Sequence, residues 1–100
     1  MRSIKRSKAF KQDMKRESHG QYRFVLKEEL VNVIEALAKD IPLDTLKKDY
    51  RDHALHRNLE GYRECHLRPD LILLYCKIDE ELQILRLERL GSHRQVIGLD

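Results

Sequence analysis

The chain has no long apolar run. Nothing in it approaches the roughly 20 residues that a membrane span needs, and its start lacks the apolar core of a secretory signal, so a cytosolic protein is expected. Only two cysteines are present, Cys65 and Cys76, with no Cys-x-x-Cys pair. If a hairpin turns at Arg68-Pro69, Cys76 falls opposite Gly61, about four residues or ~13 Å along the strand from Cys65. A disulfide needs Cα atoms within ~7 Å, so free thiols are expected. Repeats, low-complexity segments and Gly/Ser linkers are also missing, and the 100 residues read as one domain, 1–100, with a single modest core. Acids are scarce at the start: from Met1 to Arg16, Asp13 stands alone against seven Lys/Arg.

With 41% hydrophobic and 37% charged residues the chain can fold, under a heavily charged surface. The net charge of +3 understates how basic the start is. Such a run is either a solvated helix face or a surface for a polyanion or an acidic partner protein.

Arg2 to Arg6 reads as a short extended entry. Ser7 can then cap a helix in which Phe10 and Met14 lie four apart, with a stop at His19-Gly20. From Tyr22 to Lys39 the apolar residues Leu26, Leu30, Val33/Ile34 and Leu37 recur at helical spacing, and the helix ends near Asp40 because the residue before Pro42 is pushed out of the helical region. Pro42 to Asn58 has no sustained period and reads as an ordered loop anchored by Leu43, Leu46 and Leu55. Tyr62 to Leu67 reads as a strand and Arg68-Pro69 as a turn. Leu71 to Ile78 follows as a central strand buried on both faces, Asp79-Glu80-Glu81 as a polar turn, and Leu82 to Leu90 as the next strand. Gly91-Ser92 releases the chain into a tail, His93 to Ile97. The expected fold is α+β: two N-terminal helices on one face of a small antiparallel sheet, with room for an N-terminal strand at one edge and the other face open for ligand.

Strand alternation sorts the residues between Lys48 and Asp70, which hold three of the five histidines. Tyr62, Glu64 and His66 share one side, while Arg63, Cys65 and Leu67 share the other. Cys65 and Leu67 suit the helix-packed side, so Glu64 and His66 look into the open face, with Asp70 beyond the turn. His53 and His93 can reach the same patch. Histidines, carboxylates and arginines without a nucleophilic serine suit cleavage of RNA, because the substrate supplies the 2′-hydroxyl as its own nucleophile. Imidazole, with a reference pKa of ~6.5, suits both proton transfers, and the scheme requires no metal.

Three ordered blocks carry a resemblance: Lys48-Asp49…Asp52-His53-Ala54-Leu55, then Gly61-Tyr62-Arg63-Glu64-Cys65-His66-Leu67-Arg68-Pro69-Asp70-Leu71-Ile72-Leu73-Leu74-Tyr75, then Arg89-Leu90-Gly91-Ser92-His93. Over about the last half of the chain they closely resemble the YafQ-type toxins of the RelE/ParE superfamily; the front end agrees in layout only. The resemblance implies a microbial-RNase-like α+β fold and a type II toxin. It implies a metal-independent endoribonuclease without cofactor that cuts mRNA in the ribosomal decoding site. Position by position, it implies His53, Glu64, His66, Asp70 and His93 as the catalytic set, with acid and base among the histidines unassigned. Lys8, Lys11, Lys15, Arg89 and Arg94 are the candidates for contact with RNA and ribosome, Arg89 being equally able to close the sheet edge. A cognate antitoxin is implied, with an acidic segment to cover the basic face and a DNA-binding domain that carries the complex to its operator.

The sequence departs from the family pattern at Glu64, Leu71, Ile97 and Ala54, which stand where Asp, Trp, an aromatic and Pro are usual. Three other readings stand beside this one. His53, His56, Cys65, His66 and His93 are potential zinc ligands, although alternation separates Cys65 from His66. The fold also serves toxins that poison DNA gyrase. A degenerate RNA-binding module would bind without cutting. His56 and His19 read as a surface and a helix-end residue, Tyr62 and Tyr75 as packing residues, and Arg63 as a structural partner for a carboxylate.

Overall fold

The computed structural model describes residues 1–79, 81 and 83–97. Glu80 and Leu82, which the sequence places in the polar turn and at the start of the last strand, lie outside the described residues.

The extended entry is a strand, β1 (Ser3–Arg6), followed by α1 (Lys8–Glu17). The cap of α1 is the one expected: Ser7 Oγ accepts the Phe10 N–H at 2.9 Å, and its hydroxyl donates to the Glu88 carbonyl at 2.6 Å, which ties the helix start to the sheet. His19 closes the far end, its Nδ1–H donating to the Lys15 carbonyl at 2.8 Å. The expected single helix from Tyr22 is two, α2 (Arg23–Lys27) and α3 (Glu29–Ala38), broken where Glu28 takes φ −119°, ψ −65°. The break leaves Leu26 and Leu30 both buried, so apolar spacing alone does not reveal it. Helix α3 ends on a left-handed Asp40 (φ 58°), with the Ile41 N–H reaching back to the Ala36 carbonyl and the Asp40 N–H to the Leu37 carbonyl. This Schellman closure stops the helix before Pro42 has any effect.

The loop carries three 3-10 turns, Leu43–Thr45, Lys48–Tyr50 and Arg57–Leu59, and a two-residue strand, β2 (His53–Ala54). Leu43 is buried as expected, but Leu46 is exposed; the buried anchor is Tyr50, whose hydroxyl donates to Glu29 Oε2 at 2.7 Å. Strands β3 (Arg63–Arg68), β4 (Leu71–Ile78) and β5 (Ile84–Gly91) follow, and the expected tail is a short helix, α4 (His93–Ile97).

The sheet order is β1-β5-β4-β3-β2. Strands β2 to β5 form an antiparallel meander, whereas β1 runs parallel to β5, so the sheet is mixed. One face is the core: Cys65 and Leu67 of β3, Leu71, Leu73 and Tyr75 of β4, and Leu85, Leu87 and Leu90 of β5 pack with Phe10, Leu26, Leu30, Val33 and Leu37. Regular alternation would place residue 89 with Leu85 and Leu87. A register shift, with Leu74 opposite Arg89 but Tyr75 opposite Leu87, inserts Glu88 and turns Leu90 inward instead. The second face is only partly open. Ile72 and Leu74 are buried on it, and α4 packs back over β4 and β5 with Val96 buried. Both cysteines are free thiols, and Cys65 stands opposite Leu73 in the ladder.

Candidate active site

The ladder decides which side chains meet. His53 on β2 pairs directly with Glu64 on β3, and His66 follows Glu64 on the same face, one pleat further on. His66 stands opposite Ile72, and Ile72 opposite Gly91, so the chain leaves β5 beside His66 and opens α4 with His93. Three histidines from three distant stretches therefore surround one carboxylate. His53 Nε2 lies 2.9 Å and His66 Nε2 3.4 Å from Glu64 Oε1, and His93 Nε2 lies 3.4 Å from Oε2. The rings form a row, with centroids 5.9 Å apart from His53 to His66 and 6.5 Å from His66 to His93.

The Glu64 side chain is 4% exposed, while those of His53 and His93 are about half exposed, at 49% and 47%. The carboxylate lies beneath the rings, which meet solvent. Among the described residues its Oε2 accepts no hydrogen bond, and the nearest polar side chain to it is His93, with Nε2 at 3.4 Å. His53 Nδ1 contacts the Arg51 carbonyl at 2.6 Å, and a carbonyl only accepts, so Nδ1 carries a proton. Its Nε2 faces Glu64 Oε1 across 2.9 Å, at one end of the row.

Asp70, grouped with these residues in the sequence reading, instead accepts a hydrogen bond from the Tyr22 hydroxyl. Beside His66 a cleft of about 370 Å³ opens between the turn at Lys47–Arg51 and the end of β3, with Lys47, Arg51 and Arg68 against Asp49 around it. Arg68 is braced from behind by Glu29 at 3.0 Å. Burial alone would raise the Glu29 carboxyl, but Tyr50 and Arg68 hold it below the usual glutamate value.

The sequence profile of the family described as "Bacterial toxin of type II toxin-antitoxin system, YafQ" matches residues 2–98. The chain belongs to the YafQ toxin family. It is 32% identical to a YafQ toxin of Haemophilus influenzae over 90 residues, 89% of this chain and 85% of that one. It is 43% identical over 49 residues to the mRNA interferase toxin YafQ of Escherichia coli K12, about half of each chain. YafQ in its complex with the antitoxin DinJ from E. coli superposes with a TM-score of 0.75 at 33% identity, covering 97% of this chain and 98% of that one. A toxin from Helicobacter pylori described as metal-bound superposes at 0.77 with 36% identity, covering 96% and 99%.

Among the cations of this YafQ-family chain that the sequence offers to RNA, Lys8, Lys11 and Lys15 are exposed along α1, and Arg94 is exposed on α4. Arg89 is committed inward: its Nε donates to Asp13 Oδ2 at 2.7 Å. Asp13, a lone acid in a basic run by sequence, is a buried hub that also takes Arg16 at 2.9 Å and the Leu90 N–H at 2.9 Å. Burial opposes its charge, yet Arg89, the Leu90 N–H and Arg16 hold its carboxyl below the ordinary value. Its spacing from Phe10, i to i+3, was the available signal that it faces inward. Arg63 does pair with a carboxylate, Asp52, at 3.1 Å; nothing in the local pattern singles out Asp52. Among the described residues, His53, Glu64 and His66 form the one group whose ligating atoms could hold a metal, all within 4.8 Å of one another. Cys65 is buried on the other face.

Proposed function

We propose that this type II toxin is an endoribonuclease that cleaves mRNA in the decoding site of the ribosome by metal-independent acid–base chemistry. The observation that carries the reading is the row of three imidazoles over the buried Glu64 carboxylate. One imidazole takes the proton of a 2′-hydroxyl, and the 2′-oxygen attacks phosphorus to form a 2′,3′-cyclic phosphate. The bond to the 5′-oxygen breaks, and a second imidazole, in its protonated form, delivers a proton to that leaving oxygen. The three imidazoles around one carboxylate make such a division of labour available without a metal. The cations of the cleft beside His66 suit the neighbouring phosphates of the strand. Asp70, bonded to Tyr22 beyond the turn, tunes the site from that side in this reading. In the resting cell a cognate antitoxin covers the basic face, as the existence of a DinJ–YafQ complex supports, and delivers the pair to operator DNA.

The experiment is to map RNA ends by primer extension after mixing the purified protein with one mRNA, with and without translating ribosomes and with excess chelator in parallel. Cuts only with ribosomes, at a fixed place in the reading frame and indifferent to chelator, are expected. His66→Ala and His93→Ala should each lower cleavage by ~10²–10⁴-fold while remaining folded. No cuts in any tube would turn the reading toward gyrase poisoning or RNA binding without cleavage.

The donor set of His53, Glu64 and His66, together with the metal-bound H. pylori relative, supports a second reading in which a transition metal occupies the row. Occupation would take the lone pairs that proton transfer needs. Added Cu²⁺ or Zn²⁺ should then suppress cleavage and chelator restore it; a gain in rate with metal would make the metal part of the catalyst.

A further inference from the structure

We infer that Asp52 is a positioning residue for His53, held from the opposite side of the sheet by Arg63 and Tyr75; the inference rests on the nuclease reading above for its kinetic consequence. Strand β2 contributes only His53 and Ala54 to the ladder. So short an edge strand fixes its own place weakly, yet His53 must hold its Nε2 at 2.9 Å from Glu64.

The missing restraint is one residue upstream. Arg63 and Tyr75 stand directly opposite each other in the β3–β4 ladder, and both end on the same oxygen: Tyr75 donates its hydroxyl to Asp52 Oδ1 at 2.6 Å, and Arg63 donates its Nε–H at 3.1 Å. Tyr75 is 1% exposed and belongs to the helix-side core, so its hydroxyl has no freedom to follow a moving loop. Neighbouring residues of an extended chain point to opposite faces. Anchoring Asp52 on the core side therefore sets His53 on the other side, over Glu64. Arg51 completes the device. It adopts a left-handed conformation (φ 51°, ψ 45°) that a non-glycine residue avoids, and this turns its carbonyl onto His53 Nδ1. That bond fixes which nitrogen carries the proton. The anchored Asp52 thus sets the place of the first imidazole in the row, and the Arg51 carbonyl held beside it sets the tautomer.

A catalytic group displaced by about 1 Å can cost on the order of 10²-fold in rate. Asp52→Ala and Tyr75→Phe should lower the cleavage kcat by ~10²-fold and ~10-fold respectively, with KM within about twofold, because RNA is still bound. Asp52→Asn keeps an acceptor for Tyr75 and should recover most of the loss. In a His53→Gln background the same substitutions should cost less than about twofold, since the residue they act through is gone. A general loss of structure would instead cost as much in both backgrounds. The ring nitrogens of His53, read by long-range ¹H–¹⁵N spectra of the free protein, give a signature that needs no cleavage: a protonated Nδ1 in the native protein, averaging between tautomers in Tyr75→Phe. Unchanged His53 signals in Tyr75→Phe, or equal kcat losses with and without His53, would overturn the inference. Absence of cleavage by the unmodified protein would overturn the nuclease reading, and the ring spectra would still judge Asp52.

Discussion

Replacing Asp13 should separate α1 from the sheet, at a cost the geometry allows to be worked out. Its side chain is 3% exposed and accepts from Arg89 Nε at 2.7 Å, Arg89 Nη2 at 3.2 Å, Arg16 Nη1 at 2.9 Å and the Leu90 N–H at 2.9 Å. Removing one partner of a buried ion pair costs ~3–5 kcal/mol when the other charge is stranded. Here Arg89 and Arg16 are 31% and 40% exposed and can regain water, so Asp13→Ala should cost about 2–4 kcal/mol, most of it from the unpaired Leu90 N–H and the lost Arg89 contact. At ~4–8 °C per kcal/mol for a domain of this size, Tm falls by roughly 10–30 °C. Arg89→Ala should cost less, because Asp13 keeps two donors, and Arg16→Ala less than Asp13→Ala, because the Arg16 end of that pair is 40% exposed. The acid limb gives a second reading of the same group. Since folding lowers the Asp13 carboxyl, its stabilisation is complete above the unfolded value near 4 and is lost as pH falls through the lower folded value. In thermal melts followed by circular dichroism, the gap between wild type and Asp13→Asn should be constant above about pH 5 and narrow as pH falls below the unfolded value. A gap that does not narrow as pH falls below the unfolded value, or an Arg89→Ala loss as large as that of Asp13→Ala, would refute the hub.

Glu64→Gln keeps the shape of the central side chain but removes the anion among the three imidazoles, and single-turnover cleavage should slow by at least about tenfold; a rate within twofold of wild type would make Glu64 a spectator. Lys8 and Lys11 changed together to Glu should weaken ribosome association and flatten its dependence on salt, and identical binding curves would leave the basic face of α1 merely solvated. Burial pushes the Cys65 thiol far above the usual range and Cys76 up to a lesser degree. At pH 8 a thiol reagent should therefore modify Cys76 slowly and native Cys65 not at all, and equal rates at both would contradict the packing of β3.

The parts of the fold that were legible are those written in local chemistry. Ser7 and Phe10 announce a cap, and the alternation from Tyr62 to Leu67 placed Glu64 and His66 on one face and Cys65 and Leu67 on the other. The parts that were not legible depend on partners far along the chain. The direction of β1 is set by a strand more than 70 residues away, and the burial of Asp13 by Arg89 and Leu90. The helix break at Glu28 leaves the apolar period intact. The inserted Glu88 moves Leu90 and Arg89 off their expected faces, so Arg89 could not be assigned from alternation. Resemblance and chemistry point to His53, His66 and His93 together. Their distances follow from the register of four strands, which no single stretch encodes. Asp52 is not legible in the sequence, because the two donors that converge on it come from other strands.

The parallel pairing of β1 with β5 also bears on when the protein becomes competent. Ser3 lies opposite Ile84, Ser7 donates to Glu88, and Asp13 takes the N–H of Leu90, so β1 and α1 join the sheet only once β5 is in place. Contacts this distant in sequence form late, and a chain synthesised only as far as β4 has neither the closed sheet nor His93 in the row. For a protein read as an attacker of translation, the topology works as a timer: the sheet and the row of imidazoles close together, only after β5 and α4 have been made.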